Sequence, residues 1–513
     1  MKKMYYPVVF LLISISIFGQ QGKTQSQLWN AGKITTNVGN NATLRSMILQ
    51  PDGKLIAVGN IDSSFVIVRY RQNGQLDNSF GISGKVYTPF NFDCAANAVQ
   101  LTSDGSILVA GSSSKIEFST VASDILLVCY NSDGSLKTSF GTNGLVQTDI
   151  SLVDYGSSMR VLDDGKILVS GTSTNVIANG DVITLRYNSD GSLDETFGVN
   201  GYVIKNLGSV QFPSDDHAAA LDIQVDGKIV VGGNKGVHMF IIRYNPDGTY
   251  DNTFGNNGVL TGGLLNGITS LFVKDDGKIV AAGHFNNDED ISVPSITRLE
   301  SDGAIDESFG VNGRILSLPY YSYFEGRLFN VVQQTDGKIL AVGSRTDLSN
   351  QQHFESIARY AVNGHKDLSF GNNGSLTVAG DQGIYPSNSN LYPVVIINDG
   401  SILMGSDLNN DFIIYKVAEN AGKSIATDEN NANQREFAIS IYPNPIQEKF
   451  YIKGIDLANA SDITISDMQG NVLIKEQLNK GQAAVNVHQL KQGNYILHVQ
   501  QGTKSASAIF LKQ

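Results

Sequence analysis

The reading of the fold turns on one stretch near the N-terminus. It runs Asp52-Gly53-Lys54-Leu55-Ile56-Ala57-Val58-Gly59, then Phe65-Val66-Ile67-Val68-Arg69-Tyr70, then Asn73-Gly74, Ser79-Phe80-Gly81 and Gly84-Lys85-Val86-Tyr87. Each apolar run is short, rich in β-branched residues and bounded by a Gly-containing pair. None shows a helical period, so each reads as a strand. Asp-Gly and Asn-Gly pairs suit two-residue hairpin turns, because those turns need positive φ, which Gly and Asn tolerate. The unit therefore holds four strands. Strand a precedes Asp-Gly-Lys, b follows it, c carries Arg-Tyr, and d follows the last Gly.

Working outward, the Asp-Gly-Lys/Ser turn recurs at Asp104, Asp164, Asp226, Asp276, Asp336 and Asp399, in steps of 52, 60, 62, 50, 60 and 63 residues. In six copies a Gly closes the next run: Gly59, Gly111, Gly171, Gly233, Gly283 and Gly343. Six copies also carry Ser/Thr-Phe-Gly, at Phe80, Phe140, Phe197, Phe254, Phe309 and Phe370. Four strands per copy at this period is the arithmetic of a propeller blade. The seventh copy, from Asp399 to Val417, lacks its Ser-Phe-Gly and d strand. A counterpart lies at the other end, where Trp29 to Thr36 aligns with Phe80 to Tyr87. An orphan d strand at one end and a missing one at the other are what a ring closed by a shared blade requires, and closure hides the sheet edges. The expected fold is all-β: a seven-bladed propeller over residues 28–420, closed by an N-terminal strand. An open β solenoid is the alternative.

Composition agrees. Of 513 residues, 17% are charged and 41% hydrophobic, and Gly makes up 53. That is too apolar for disorder and fits many short strands with tight turns. A net charge of −12 argues against a nucleic-acid partner. The two cysteines fall in strand a (Cys94) and strand c (Cys129) of one blade. Two strand spacings are ~9–10 Å, beyond the ~7 Å Cα limit for a disulfide, so two buried free thiols are expected.

The ends carry addresses. Met1-Lys2-Lys3 followed by the apolar Val8–Phe18 and then Gln20-Gln21 reads as a signal peptide over 1–20. It is too short for a membrane span, and no later segment is long enough for one, so the mature chain is not expected to be a transmembrane protein. Residues 421–437 are small, polar and aperiodic, as in a linker. Residues 438–513 open on Tyr442-Pro443-Asn444-Pro445 and continue in six or seven short strands with turns at Gln469-Gly470 and Gln492-Gly493. This suggests a small β-sandwich.

The repeated Asp-Gly-Lys, Arg-Tyr and Ser-Phe-Gly pattern resembles the delta-60 repeat family of bacterial exported proteins, which implies a repeat type and no reaction. The last module is similar to the type A C-terminal sorting domain of the type IX secretion system. The matching residues are Pro443, Asn444, Pro445, Gly470, Gly493, Tyr495 and Lys512. That resemblance implies a Bacteroidetes-type source, Sec export, passage across the outer membrane with the secretion machinery as partner, and release or attachment at the cell surface.

Chemistry is sparse in the sequence. There is no HExxH, G-x-S-x-G, Walker loop or CxxC, and the His and Cys show no metal spacing. The Asp-Gly turns lack the EF-hand pattern. No catalytic residue, metal site or cofactor is expected. A residue copied into every blade serves the blade, so the Phe residues read as inter-blade core and the Arg-Tyr pairs as strand packing with a hydrogen-bonded or snorkelling head. The b–c and d–a connections vary between copies, as at Ser112–Ser123, Phe212–His217, Asn286–Asp290, Pro319–Glu325 and Asp381–Tyr385. In an up-and-down blade they share one face, and such loops carry function. Tyr320, Tyr321, Tyr323 and Phe324 are the candidate anchors for a glycan or protein ligand on that face. Asp215, Asp216 and His217 are a weaker candidate for acid/base or metal chemistry. The alternative function is an enzyme, a hydrolase or lyase acting on extracellular polysaccharide.

Overall fold

The computed structural model describes residues 32–117, 120–174, 180–208, 214–262, 264–286, 292–316, 324–347, 352–381, 393–408, 411–418, 439–442, 446–467, 472–501 and 504–512. The signal-peptide and linker readings fall outside these residues. The chain divides into two compact units, Met1–Ile425 and Ala426–Gln513.

Among the described residues, the first unit is built from seven sheets with a common four-strand path, and every pairing along that path is antiparallel. Blade 1 consists of Thr43–Leu49, Leu55–Ile61, Ser64–Tyr70 and Lys85–Pro89, in that spatial order. The first strand of each sheet meets the first strand of the next, and that of the seventh meets that of the first. The a strands thus form an inner ring, with the d strands outside. Blade 7 takes Val394–Ile396, Ile402–Leu408 and Asp411–Val417 from the end of the unit and Lys33–Asn37 from its start. The register runs from Lys33↔Tyr415 to Asn37↔Asp411. Lys416 N donates to Gly32 O at 2.8 Å, as Arg69 N donates to Gly84 O in blade 1. Gly32-Lys33 therefore occupies the place of Gly84-Lys85, one residue away from a position-by-position match of Trp29–Thr36 with Phe80–Tyr87.

The six run-closing glycines have a steric cause. In blades 1 to 6 strand a carries a β-bulge, for example between Gly156 and Ser158, opposite the glycine of strand b. A Cβ on Gly171 would lie 1.7 Å from Tyr155 O, and on Gly233 1.9 Å from His217 O. Blade 7 has Ser406 at this position, and the residues of its strand a that would face Ser406 lie outside the described ones.

The core lies between blades. Phe80 packs with Cys94, Val99 and Tyr130 of blade 2, and Phe197 with Leu221, Phe240 and Tyr244 of blade 4. The tyrosine hydroxyls of strand c reach back one blade. Tyr70 donates to Thr36 Oγ1 at 2.8 Å and Tyr187 to Thr148 Oγ1 at 2.9 Å, while Tyr130 and Thr88 lie 2.7 Å apart. Cys94 and Cys129 are free and buried, with the strand Ile107–Glu117 between theirs. Burial pushes the thiols up, to about 12 for Cys94 and about 11 for Cys129. The blade 2 stretch read as an insertion is a prolongation of the sheet: Ile107–Glu117 folds back on Thr120–Ala122.

The second unit has two antiparallel sheets. One orders Ser440–Tyr442, Lys449–Lys453 and Ala484–Asn486. The other orders Val472–Leu478, Ser461–Asp467, Gly493–Gln501 and Lys504–Lys512. Phe450, Ile463, Ile465, Leu497 and Phe510 form a shared core, as alternating strands facing one another across a sandwich require.

Candidate binding face

The two ends of each blade are built differently. On the a–b/c–d face the repeat produces a latch. In blades 1, 3, 4, 5 and 6 the strand-c arginine (Arg69, Arg186, Arg243, Arg298, Arg359) donates through Nε to an aspartate eight residues on, at 2.6–2.9 Å. The aspartates are Asp77, Asp194, Asp251, Asp306 and Asp367. The Asp-Gly-Lys lysine reaches the same carboxylate at 2.7–3.4 Å. The guanidinium lies over the Ser/Thr-Phe-Gly ring with centroid distances of 4.4–4.8 Å, a cation–π contact. Arg69, Arg186, Arg243 and Arg298 also donate across the seam, to the Ser132, Pro246, Ser301 and Val362 carbonyls of the next blade. A Gly N–H follows the same path, as in Gly198 N to Asp247 O at 2.8 Å.

Burial raises these carboxyls, but it is outweighed. Ser or Thr two residues on donates a hydroxyl and an amide, and the arginine and lysine add their charge. The balance holds Asp77, Asp194, Asp251 and Asp306 well below the usual carboxylate range and Asp367 at about 2. The arginine heads expected to be hydrogen-bonded or snorkelling are buried, as halves of ion pairs. A cleft of about 440 Å³ on this face, lined in part by Lys228, Arg243 and Thr253, is walled by these same groups.

Blade 2 departs from the pattern at three linked positions. Cys129 stands for the arginine, Lys137 for the aspartate and Ser106 for the lysine. Lys137 turns to Asp104 at 2.5 Å and Ser106 Oγ at 3.1 Å. The charges are exchanged together, so no buried charge is stranded.

The opposite face carries the b–c and d–a connections. Tyr320, Tyr321 and Tyr323 lie outside the described residues. Phe324 opens the first strand of blade 6, paired with Asp347, and its side chain is also outside them. The Asp215–His217 trio is split by strand alternation. Asp215 Oδ2 and His217 Nε2 pair at 3.0 Å with both side chains about half exposed, and His217 Nδ1 lies 3.2 Å from Thr172 Oγ1. Asp216 points the other way, is fully buried, and accepts from Leu207 N at 2.8 Å. The three therefore do not converge on one point. Asp124, Asp149 and Asp154, which the sequence reading did not single out, do converge: one carboxylate oxygen of each lies within 4.8 Å of the others.

In the second unit Pro443, Asn444, Pro445 and Gly470 lie outside the described residues. The remaining candidates meet on one sheet. Gly493 pairs with Lys512, Tyr495 pairs with Phe510, and Tyr495 Oη donates to Lys491 O at 2.8 Å.

Residues 440–513 match the family described as a secretion system C-terminal sorting domain. Residues 50–80, 102–140, 162–197, 224–254, 274–309 and 334–370 match the domain of unknown function (DUF5122) beta-propeller. These stretches fall in the first six blades; the seventh, which has no Ser-Phe-Gly turn, is outside them. The fold and these matches define an exported, all-β repeat propeller. More particularly, the chain carries DUF5122 propeller repeats followed by a sorting domain of the type IX secretion system, which directs it to the outer surface or the medium.

No curated protein matches the chain. Among solved structures, virginiamycin B lyase from Staphylococcus aureus is 11% identical with a TM-score of 0.42, covering 75% of this chain and 98% of its own. A protein from Lactobacillus plantarum is 11% identical at 0.41, covering 88% and 100%. The β-propeller domain of the Trilobed protease from Pyrococcus furiosus, described as having an open velcro topology, is 11% identical at 0.36, covering 77% and 98%. None of these likenesses bears on a ligand or a reaction.

Proposed function

We propose that the exported propeller is a binding scaffold whose b–c/d–a face takes an extracellular glycan or a protein loop, with the C-terminal module as its secretion signal. The observation that carries this is the contrast between the faces. One repeats a latch of buried charges in five blades; the other is made of connections that differ from blade to blade. A rigid ring with one constant and one variable face is how binding loops are commonly presented. Tyr320, Tyr321, Tyr323 and Phe324 are the anchors on this reading. The test is a glycan array and a cell-surface binding screen with the mature full-length chain, alongside the variant Tyr320→Ala/Tyr321→Ala/Tyr323→Ala. A hit lost in the triple variant supports the reading. A hit retained at full affinity removes the anchor assignment. Turnover of a polysaccharide by the same preparation would replace the scaffold with a hydrolase or lyase.

A further inference from the structure

The repetition of blades allows one position to be compared across several seams. At the closing seam between blades 7 and 1, Asn37 pairs with Asp411 across strands d and c, and Asn37 Nδ2 donates to Asp411 Oδ1 at 2.8 Å. At the seam between blades 3 and 4 the equivalent residues, one step beyond the pair Val182↔Lys205, are Asp181 and Asn206. Asn206 Nδ2 donates to Asp181 Oδ1 at 2.7 Å. At the seam between blades 2 and 3 the same step beyond Ile125↔Thr148 is occupied by Asp124 and Asp149. The amide is replaced by a second carboxylate, and like charges opposed across strands repel.

A third carboxylate joins them. Asp154, the second residue of Val153–Val161, is fully buried. Its Oδ2 accepts from Ile150 N at 2.7 Å and Ser151 N at 2.8 Å, while its Oδ1 is sealed from solvent with no hydrogen-bond partner. Gln147 Nε2 donates to Asp124 Oδ2. Among the described residues no Lys, Arg or His stands within ion-pair distance of any of the three. Three converging carboxylates with one buried, unsatisfied oxygen and no protein cation lack a positive partner. All the donors are oxygen, which selects a hard divalent ion. A site spread over two blades, with an uneven mix of exposed and buried ligands, suits the flexible coordination of calcium better than the strict octahedron of magnesium.

We propose that Asp124, Asp149 and Asp154 bind a calcium ion that ties strands c and d of blade 2 to strand a of blade 3 on the variable face. An exported protein meets calcium at the concentrations that extracellular modules of Kd about 10⁻⁴–10⁻³ M require. The test uses the full-length protein, stripped with EDTA and desalted. Titration with calcium chloride should show one site per chain in that affinity range, and saturation should raise the melting temperature by about 2–4 °C. Asp149→Asn recreates the Asp–Asn pair of the other two seams. It should weaken calcium binding at least ten-fold and abolish the calcium-dependent shift, while the calcium-free protein melts at or above the wild type. Asp124→Asn serves as a second variant should the first fail to fold. Absence of both heat and thermal shift in the wild type, or an undiminished response in Asp149→Asn, overturns the proposal.

Discussion

Five aspartates of the latched face and three of the variable face are shifted in opposite directions. Asp77, Asp194, Asp251, Asp306 and Asp367 on the latched face are all held low. On the variable face burial raises Asp154, and Asp149 adds to the rise. The neighbouring Ser173 hydroxyl and two backbone amides oppose it. Burial raises Asp216 and Asp181 as well, with Asp216 adding to the effect on Asp181. The same residue type in the same repeat is satisfied by the fold on one side and not on the other. Charges that the protein itself neutralises belong to its architecture. Charges it buries without neutralising are available to something else.

The largest expected effect is acid unfolding. The folded-state pKa of the five latch carboxyls lies below the ~3.9 of an unfolded aspartate. Their contribution is therefore complete above that value and is lost as the pH falls through it towards and past 2. Urea midpoints should drop steeply between pH 4 and 2.5, and a flat profile there would break the comparison. Next is a single latch. Asp251→Ala strands the buried Arg243 and should cost about 3–5 kcal/mol by chemical denaturation; a loss under 1 kcal/mol would show that the pair is dispensable. Blade 2 sharpens the point. Cys129→Arg and Lys137→Asp should each destabilise alone, whereas the double variant rebuilds the latch. A double-mutant cycle should return about 1–3 kcal/mol of favourable coupling; additive singles would mean that the exchange in blade 2 is not compensatory. The smallest effect belongs to the variable face. Asp215→Ala breaks a half-exposed pair with His217 and should change stability by no more than about 1 kcal/mol.

Much of the architecture was legible because the repeat displays it several times over. Asp-Gly turns, β-branched runs and the Gly that closes strand b mark the strands. The incomplete last copy announces the closing strand, apart from a one-residue offset that only the ladder register resolves. The latch was half visible. Arg and Phe recur in the sequence, but the Asp eight residues beyond Arg69 does not stand out as its partner, because it is the Arg71–Gln75 turn that folds it back beside the arginine. The sorting-domain sheet brought Gly493, Tyr495 and Lys512 together as the resemblance implied. The carboxylate cluster was not legible within any one copy. Asp124 ends one connection, Asp149 and Asp154 flank another, and they meet only where two blades pack. The usable signal lay across copies, in the series Asp124, Asp181, Asp411 set against Asp149, Asn206, Asn37.

The strand that closes the ring also sets a timetable. Six blades arise from neighbouring hairpins, but the seventh joins Asn37 to Asp411, residues 374 apart in the chain. Contacts of such long sequence separation form late, because the intervening chain must be ordered first. A chain made from its N-terminus presents Lys33–Asn37 long before Asp411–Val417 arrives to receive it. Until then Lys33–Asn37 lacks its partner strand and the ring stays open. The finished ring is thus a record that the whole propeller is present, and a chain cut short before Asp411 is distinguishable from a complete one by an open seam that proteases or another strand can enter.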